Sequence, residues 1–363
     1  MKLLQINKLY HPVIGGIESV VKDIAEGLNN SDSFIIDVLA CQKRGKRNIE
    51  EINKIKVYKA HSFGKALGMP LSFDFFLLFF KIKNNYDKFL IHFPFPLATF
   101  LTFFIPKNKL IIFYHSDIVR QRFFKLIFSP FIKYSLNKAG KIIVSGKNII
   151  KSSEMLKKHN AKCEVIPFGV DFLMSNEDKL NAKKIKELND NKKIILGVGR
   201  LVYYKGFTYA ISAMKNIDAK LIIIGSGKEK ENLENLIKSL NLEEKIEILP
   251  PQDNLNPYFL ACDIFIFPSC ARSEAFGLVQ LQALAYGKPI INTYLNTAVE
   301  EVSLNNITGL TVNPKNVKEI EIALNKILSN EELYYKFSKN ARERYKSLFT
   351  ADKFLENIKK SLL

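Results

Sequence analysis

The stretch Pro167-Phe168-Gly169-Val170-Asp171 divides the chain. Pro167 lacks a backbone N–H and Gly169 accepts unusual dihedrals, so neither element type runs through it. A polar, helical Lys/Asn/Glu stretch follows, to about Lys192. Upstream, short apolar runs alternate with amphipathic segments. The strand candidates are 3–7, 35–40, 55–59, 88–92, 110–114, 141–144 and 163–166, with helices predicted over 17–28 and 148–159. Downstream the alternation restarts: strands at 193–198, 220–224, 245–249, 264–267 and 289–292, helices over 207–215, 228–240 and 278–286. The tail 317–363 reads as helical throughout. Alternation of this kind predicts a parallel sheet with helices on both faces. Two such sets predict an α/β protein of two Rossmann-like, doubly wound domains facing a cleft, with ligand loops at the carboxyl ends of the strands. The expected domains are 1–170 and 171–345, with a helix over 346–363 returning to the first.

Composition bounds the function. An apolar share of 47% beside 25% charged residues is enough to bury two cores. The net charge of +18 favours acidic partners, although Lys-rich solvated helices account for charge equally well. No nucleic-acid recognition motif accompanies it, and nucleic acid is not expected as a partner. Cys41, Cys163, Cys262 and Cys270 form no metal-ligand spacing, and such a scattered set fits a reducing compartment. The start, Met1 to Asn7, does not read as a signal peptide. The most apolar stretch, 93–105, is too short and proline-rich to span a bilayer. A cytoplasmic protein is expected.

Three loops carry the chemistry. The first, Tyr10-His11-Pro12-Val13-Ile14-Gly15-Gly16-Ile17-Glu18, lies between a strand and a helix. Paired glycines let a backbone approach a ligand, and a helix start favours an anion; a tight turn would also need only a glycine. The second is Leu196-Gly197-Val198-Gly199-Arg200-Leu201-Val202-Tyr203-Tyr204-Lys205-Gly206-Phe207. Val202 stands where a nicotinamide enzyme has its third glycine. Arg200 and Lys205 instead put two cations at a strand end, which suits a diphosphate. The third runs from Pro268-Ser269-Cys270-Ala271-Arg272-Ser273-Glu274-Ala275-Phe276-Gly277-Leu278 to Gln282. A helix is expected to start near Gly277, where free backbone amides hold phosphate or sugar hydroxyls. Glu274 can accept hydrogen bonds from a polyol, or simply cap the helix.

Gly-Gly after the first strand, Gly-Arg…Lys-Gly opening the second half and Glu-x-Phe-Gly before a helix, in this order, resemble glycosyltransferase family 4, retaining enzymes of the GT-B fold. His115-Ser116-Asp117-Ile118-Val119-Arg120 is similar to a segment of bacterial polysaccharide mannosyltransferases. The resemblance implies that Gly15 and Gly16 lie against the donor diphosphate and the acceptor entrance. It implies that Arg200 and Lys205 neutralise the diphosphate, with Gly199 beside them. It implies that Glu274 binds the transferred sugar, and that Ala275, Phe276, Gly277 and Leu278 complete the donor site. His115 would contact the donor sugar, and the loop at Pro251 would face the base. Where the family has a second Glu, this chain has Gln282, which lacks the charge and predicts weaker nucleotide binding. The segment 293–298 lacks a glycine often found there.

The implied reaction moves a hexose, expected to be mannose from GDP-mannose, to a glycan or lipid-linked acceptor in O-antigen or capsule synthesis. No metal and no cofactor is expected, the nucleotide sugar being a co-substrate. An epimerase, a phosphorylase and a weakened carbohydrate-binding homologue are the alternatives. Two Phe-rich, basic stretches, 72–83 and 118–138, suit either packing beneath a sheet or a helix resting on an anionic membrane.

Overall fold

The computed structural model describes residues 1–13, 15–29, 33–66, 69–117 and 122–363, with backbone alone at 65, 66 and 122–127. Ile118, Val119 and Arg120, and the side chains of Arg122, Phe123, Phe124, Lys125 and Ile127, lie outside the described residues. The chain forms two compact units, Met1–Phe168 with Phe354–Leu363, and Gly169–Lys353.

In the first unit the strands are β1 (Lys2–Ile6), β2 (Ile35–Cys41), β3 (Asn48–Ile52), β4 (Ile55–Ala60), the small ribbon β5 (Lys65–Ala66) and β6 (Met69–Pro70), β7 (Lys88–Phe93), β8 (Leu110–Tyr114), β9 (Lys141–Val144) and β10 (Cys163–Val165). The main sheet has the order β10-β9-β8-β7-β1-β2-β4-β3 and is parallel except where β3 meets β4. Its central strands are buried on both faces, as a parallel sheet sandwiched by helices requires. Strand β3 was not predicted because Asn48-Ile49-Glu50-Glu51-Ile52 is polar and largely exposed at the sheet edge. Asn53 (φ 52°) and Lys54 (φ 66°) turn it back onto β4. Two left-handed residues in a row make the hairpin turn that matches strand twist, and Asn tolerates that region better than most.

The helix expected over 148–159 is two pieces. Lys147–Ser152 is helical, Ser153 is extended, and a 3-10 segment covers Lys157–Lys162. The Ser153 hydroxyl donates to Asp117 Oδ1 at 2.6 Å. A serine bonded outside the helix favours the break.

The second unit holds β11 (Ile194–Val198), β12 (Lys220–Ile224), β13 (Ile246–Leu249), β14 (Ile264–Phe267), β15 (Ile290–Thr293) and β16 (Gly309–Val312). All are parallel, in the order β13-β12-β11-β14-β15-β16. Ile195, Leu221, Ile223, Ile264 and Ile266 pack against Phe207, Ile211, Met214 and Leu324 to make its core.

The tail is three helices, Val317–Leu328, Glu331–Leu348 and Ala351–Leu362. The first break occurs where the Asn330 side chain accepts from the Leu333 amide at 2.8 Å, starting a new helix. Within the first unit, Phe354, Ile358 and Leu362 are buried, and the Ser361 hydroxyl donates to Glu164 at 2.7 Å. The return to the first unit begins at Phe354, and residues 346–353 stay with the second.

Both sheets reverse their direction of growth once. The reversal falls between β1 and β7 in the first and between β11 and β14 in the second. Loops leaving two such strands diverge, and the crevice between them is where doubly wound sheets bind ligands.

Candidate functional site

The loops after β11 and β14 form the reversal point of the second sheet. Strand β14, Ile-Phe-Ile-Phe, is buried throughout and delivers the chain at Pro268. After β11 the chain turns through Tyr203–Lys205, and Gly206 follows at φ 72°. A Cβ on Gly206 would collide with the Pro268 carbonyl oxygen, so this contact between the loops needs glycine. The Cys270 amide donates to the Tyr204 carbonyl at 2.7 Å and joins the two loops again.

This frame brings the predicted charges together. Lys205 Nζ lies 2.6 Å from Glu274 Oε2, each side chain only 13% exposed. Lys205 also sits 4.8 Å from the centre of the Phe267 ring and 5.8 Å from that of Tyr204. The Arg200 guanidinium lies 5.9 Å from the same Tyr204 ring, and its Nη2 donates to the Tyr204 hydroxyl at 2.7 Å. Both cations therefore share one aromatic neighbour. Tyr204 has this role without any motif to announce it, since only the 3-10 turn brings its ring near both. Gly199 lies alongside, where an added Cβ would be 3.4 Å from Lys205 Cε. The Ser269 hydroxyl donates to Glu274 Oε2 at 3.4 Å.

The helix after this loop is Val279–Ala285, starting two residues later than Gly277. Gly277 has φ 76°, and a Cβ there would strike the Phe267 ring at 2.7 Å. Phe276 is buried against Phe349, and the Ala275 carbonyl accepts from Ala298 N at 2.9 Å. Among the described residues the N–H groups of Gly277 and Leu278 have no acceptor. Unpaired amides beside two cations can take the oxygens of an anion.

Gln282 is bonded to a neighbouring side chain. It is buried, and its Nε2 donates to Asn256 Oδ1 at 3.0 Å. Asn256 Nδ2 in turn donates to Asp178 at 3.2 Å and to the Leu173 carbonyl at 2.8 Å. Bonds from Ser175 N–H and Asn254 hold the Asp178 carboxyl down at about 2. An amide suits this place because Asn256 Oδ1 needs a donor, which a carboxylate is not. Pro251 is exposed, in the loop after the edge strand β13. Within the segment 293–298, Asn296 takes φ 56°, a left-handed conformation that Asn tolerates better than most residues. The Glu300 carboxylate accepts from the Asn296 and Thr297 amides at 2.6 and 3.2 Å.

In the first unit, Gly16 begins the helix Gly16–Asn29. The space a Gly15 side chain would need is filled by the Glu18 carboxylate. His115 follows β8 and is buried against the Phe113 and Phe168 rings, with centroid distances of 4.5 and 5.7 Å. Its Nε2 lies 2.9 Å from His92 Nδ1, and His92 Nε2 lies 2.9 Å from Gln5 Oε1. Burial pushes the His115 imidazole down to about 3, so it is neutral. The sequence offered no sign of Gln5 or His92 as partners. Strand register alone sets His92 opposite Phe113, two residues before His115.

Comparison with known proteins agrees with this architecture. The profile described as "Glycosyltransferase Family 4" matches residues 14–172, and "Glycosyl transferases group 1" matches 178–344. The chain is 27% identical to O-antigen chain mannosyltransferase C of Escherichia coli, over 98% of this chain and 96% of that protein. It is also 27% identical to the D-rhamnosyltransferase WbpZ of Pseudomonas aeruginosa, over 97% and 93%. Sucrose-phosphate synthase from Thermosynechococcus elongatus shares the fold with a TM-score of 0.79 at 19% identity, over 99% and 98% of the two chains. The chain belongs to the glycosyltransferases of the GT-B fold, with a family 4 domain in its first half and a group 1 domain in its second.

Proposed function

We propose that the protein moves a hexosyl group, with retention of configuration, from a nucleotide sugar to a glycan or lipid-linked acceptor in surface polysaccharide synthesis. The observation that carries this reading is the Lys205–Glu274 pair, with Arg200 across Tyr204, at the reversal point of the second sheet. Mannose from GDP-mannose is the favoured donor, supported by the mannosyltransferase relative.

In this reaction the bond from the anomeric carbon to the donor phosphate oxygen breaks, and a bond to the acceptor oxygen forms. The acceptor proton passes to a donor phosphate oxygen on the same face. Charge grows on the departing diphosphate, and the protein's main task is to stabilise it where water is scarce. Arg200 and Lys205 supply fixed positive charge, and Gly277 and Leu278 supply amides. Glu274 holds Lys205 in place and offers its second oxygen to a sugar hydroxyl. With two cations at the leaving group, the reaction is proposed to need no metal. His115 is proposed to meet a sugar hydroxyl, and Gly15 and Gly16 to admit a ligand close to the backbone.

The test is transfer from GDP-, UDP- and ADP-hexoses to lipid-linked acceptors, with and without EDTA, and NMR of the product's anomeric carbon. The α product from GDP-mannose is expected, unaffected by EDTA. Hydrolysis or epimerisation without transfer would overturn the reading.

A cytoplasmic enzyme resting on the membrane is part of the same proposal. Among the described residues no helix is long and apolar enough to cross a bilayer. The helix Asp74–Ile82 buries Phe75, Leu78 and Phe79, but Phe73, Leu77 and Phe80 are exposed. Phe80 lies against exposed Phe104, ring centres 4.7 Å apart, with Lys83 near its ring. Phe103 stacks on Tyr134 at 4.1 Å beside Lys138. Exposed aromatics ringed by lysines suit the headgroup layer of an anionic leaflet. Co-sedimentation with anionic vesicles that weakens with salt is expected, and no binding at low salt would remove this part.

A further inference from the structure

The buried row Gln5, His92 and His115 runs across three neighbouring strand ends of the first sheet, and its hydrogen bonds have only one consistent direction. Gln5 Nε2 donates to the Val21 carbonyl at 3.1 Å. A carbonyl only accepts, so the Gln5 amide cannot be turned over without setting two oxygens against each other. Gln5 Oε1 is therefore the acceptor facing His92, and His92 Nε2 must carry the hydrogen. His92 is neutral, because burial and the neighbouring His115 hold its pKa well below the usual range. Its Nδ1 then has a lone pair and accepts from His115 Nε2–H. His115, neutral too, is left with an unprotonated Nδ1. Among the described residues that nitrogen has no partner. The rings of His92 and His115 lie edge to edge with planes 10° apart, and Phe113 and Phe168 pack against His115, so the ring has little room to flip.

We propose that Gln5 and His92 are positioning residues that hold His115 in its Nε2–H form, so that Nδ1 is presented as a hydrogen-bond acceptor for a hydroxyl. Such a nitrogen takes an O–H and repels a phosphate or carboxylate oxygen. The end of β8 thereby selects the polyol part of a ligand and leaves the anionic part to other residues. This selection rests on the glycosyltransferase reading; the direction of the hydrogen bonds does not. A neutral group bonded only to neutral groups also costs less to bury than an ion would.

The experiment uses the full chain labelled with ring-15N histidine. Two-bond 1H–15N correlations distinguish the tautomers, with His92→Leu and His115→Leu variants for assignment. Near neutral pH, His92 and His115 are both expected as single Nε2–H tautomers. In Gln5→Leu, with folding checked by circular dichroism, His92 loses its fixed acceptor and both rings are expected to become mixtures. The KM for the sugar substrate should rise about tenfold, the worth of one hydrogen bond, with kcat little changed. Should Gln5→Leu fail to fold, His115→Asn and His115→Gln keep the test open. Asn offers an oxygen near the Nδ1 position and Gln near Nε2, so Asn should retain the lower KM. A charged or Nδ1–H His115 in the native chain, unchanged spectra in Gln5→Leu, or Gln outperforming Asn would each overturn the proposal. The spectra read the imidazole whether or not sugar is transferred, so a failed transfer assay would count against the enzyme reading alone.

Discussion

In the first sheet, growth reverses between β1 and β7, and the residues gathered near that edge are Gln5, His92 and His115. In the second it reverses between β11 and β14, and the residues there are Arg200, Lys205 and Glu274. The first set is neutral and almost wholly buried, with exposures of 0%, 1% and 5%. The second is charged, and keeps contact with solvent. Taking an isolated ion out of water costs several kcal/mol, roughly, even after relaxation, whereas a fully hydrogen-bonded neutral chain avoids that penalty. The same topological position thus holds a neutral set in one unit, proposed for hydroxyls, and a charged set in the other, proposed for phosphates. The fold supplies the position, and desolvation decides which chemistry can be kept there.

The largest effect should come from the charged site. Lys205→Ala removes a fixed charge from the proposed diphosphate site and is expected to lower single-turnover transfer by about 10²–10³-fold. A loss no greater than the tenfold change expected from one neutral hydrogen bond would erase the contrast. Gly206→Ala, which drives a Cβ toward the Pro268 carbonyl, is expected to cost about 1–3 kcal/mol in urea unfolding and to lower turnover by displacing Lys205.

The aversion of the first unit to charge can be measured at Asp23. Burial raises this carboxyl to about 6, with Glu26 adding to the effect and Lys22 opposing it. An acid whose folded pKa lies above its unfolded value, near 3.9, holds its proton more tightly when folded. Stability is therefore lost as pH rises from about 4 to 6, and stays lost above that. Asp23→Asn should stabilise the protein by about 1–3 kcal/mol at pH 7.5 and by almost nothing at pH 4, read from denaturation at the two pH values. A gain at pH 4 as large as at pH 7.5 would show that charge burial is not the cause.

The smallest effect is expected at Gln282. Gln282→Glu sets a carboxylate against Asn256 Oδ1 and should cost about 1 kcal/mol of stability. A stable variant with tighter nucleotide binding would mean that the side chain turns away from Asn256 and gains a role in the site.

Most of the strands were legible as runs of Ile, Leu, Val and Phe, because a strand buried on both faces needs apolar residues throughout. Strand β3 was not, since an edge strand with polar side chains has no such signature, and its pairing rests on the Asn53-Lys54 turn. Lys205 and Glu274 were legible as candidates from the loops that hold them. Their pairing was not: 69 residues separate them, and only the parallel pairing of β11 with β14 makes the two loops neighbours. Gln282 looked like a replacement for a missing charge, yet the fold gives its amide a partner in Asn256.

By itself the order of residues determined two α/β units, the boundary near Gly169 and the loops where charge and glycine gather, because each depends on local pattern and spacing. Only the tertiary structure decided that Tyr204 neighbours both Arg200 and Lys205, that Gln282 serves Asn256, and that Gln5 and His92 direct the proton of His115. Those are contacts between strands and loops distant in sequence. Their energy depends on hydrogen-bond direction and on exclusion of water, and neither exists until the sheets have assembled.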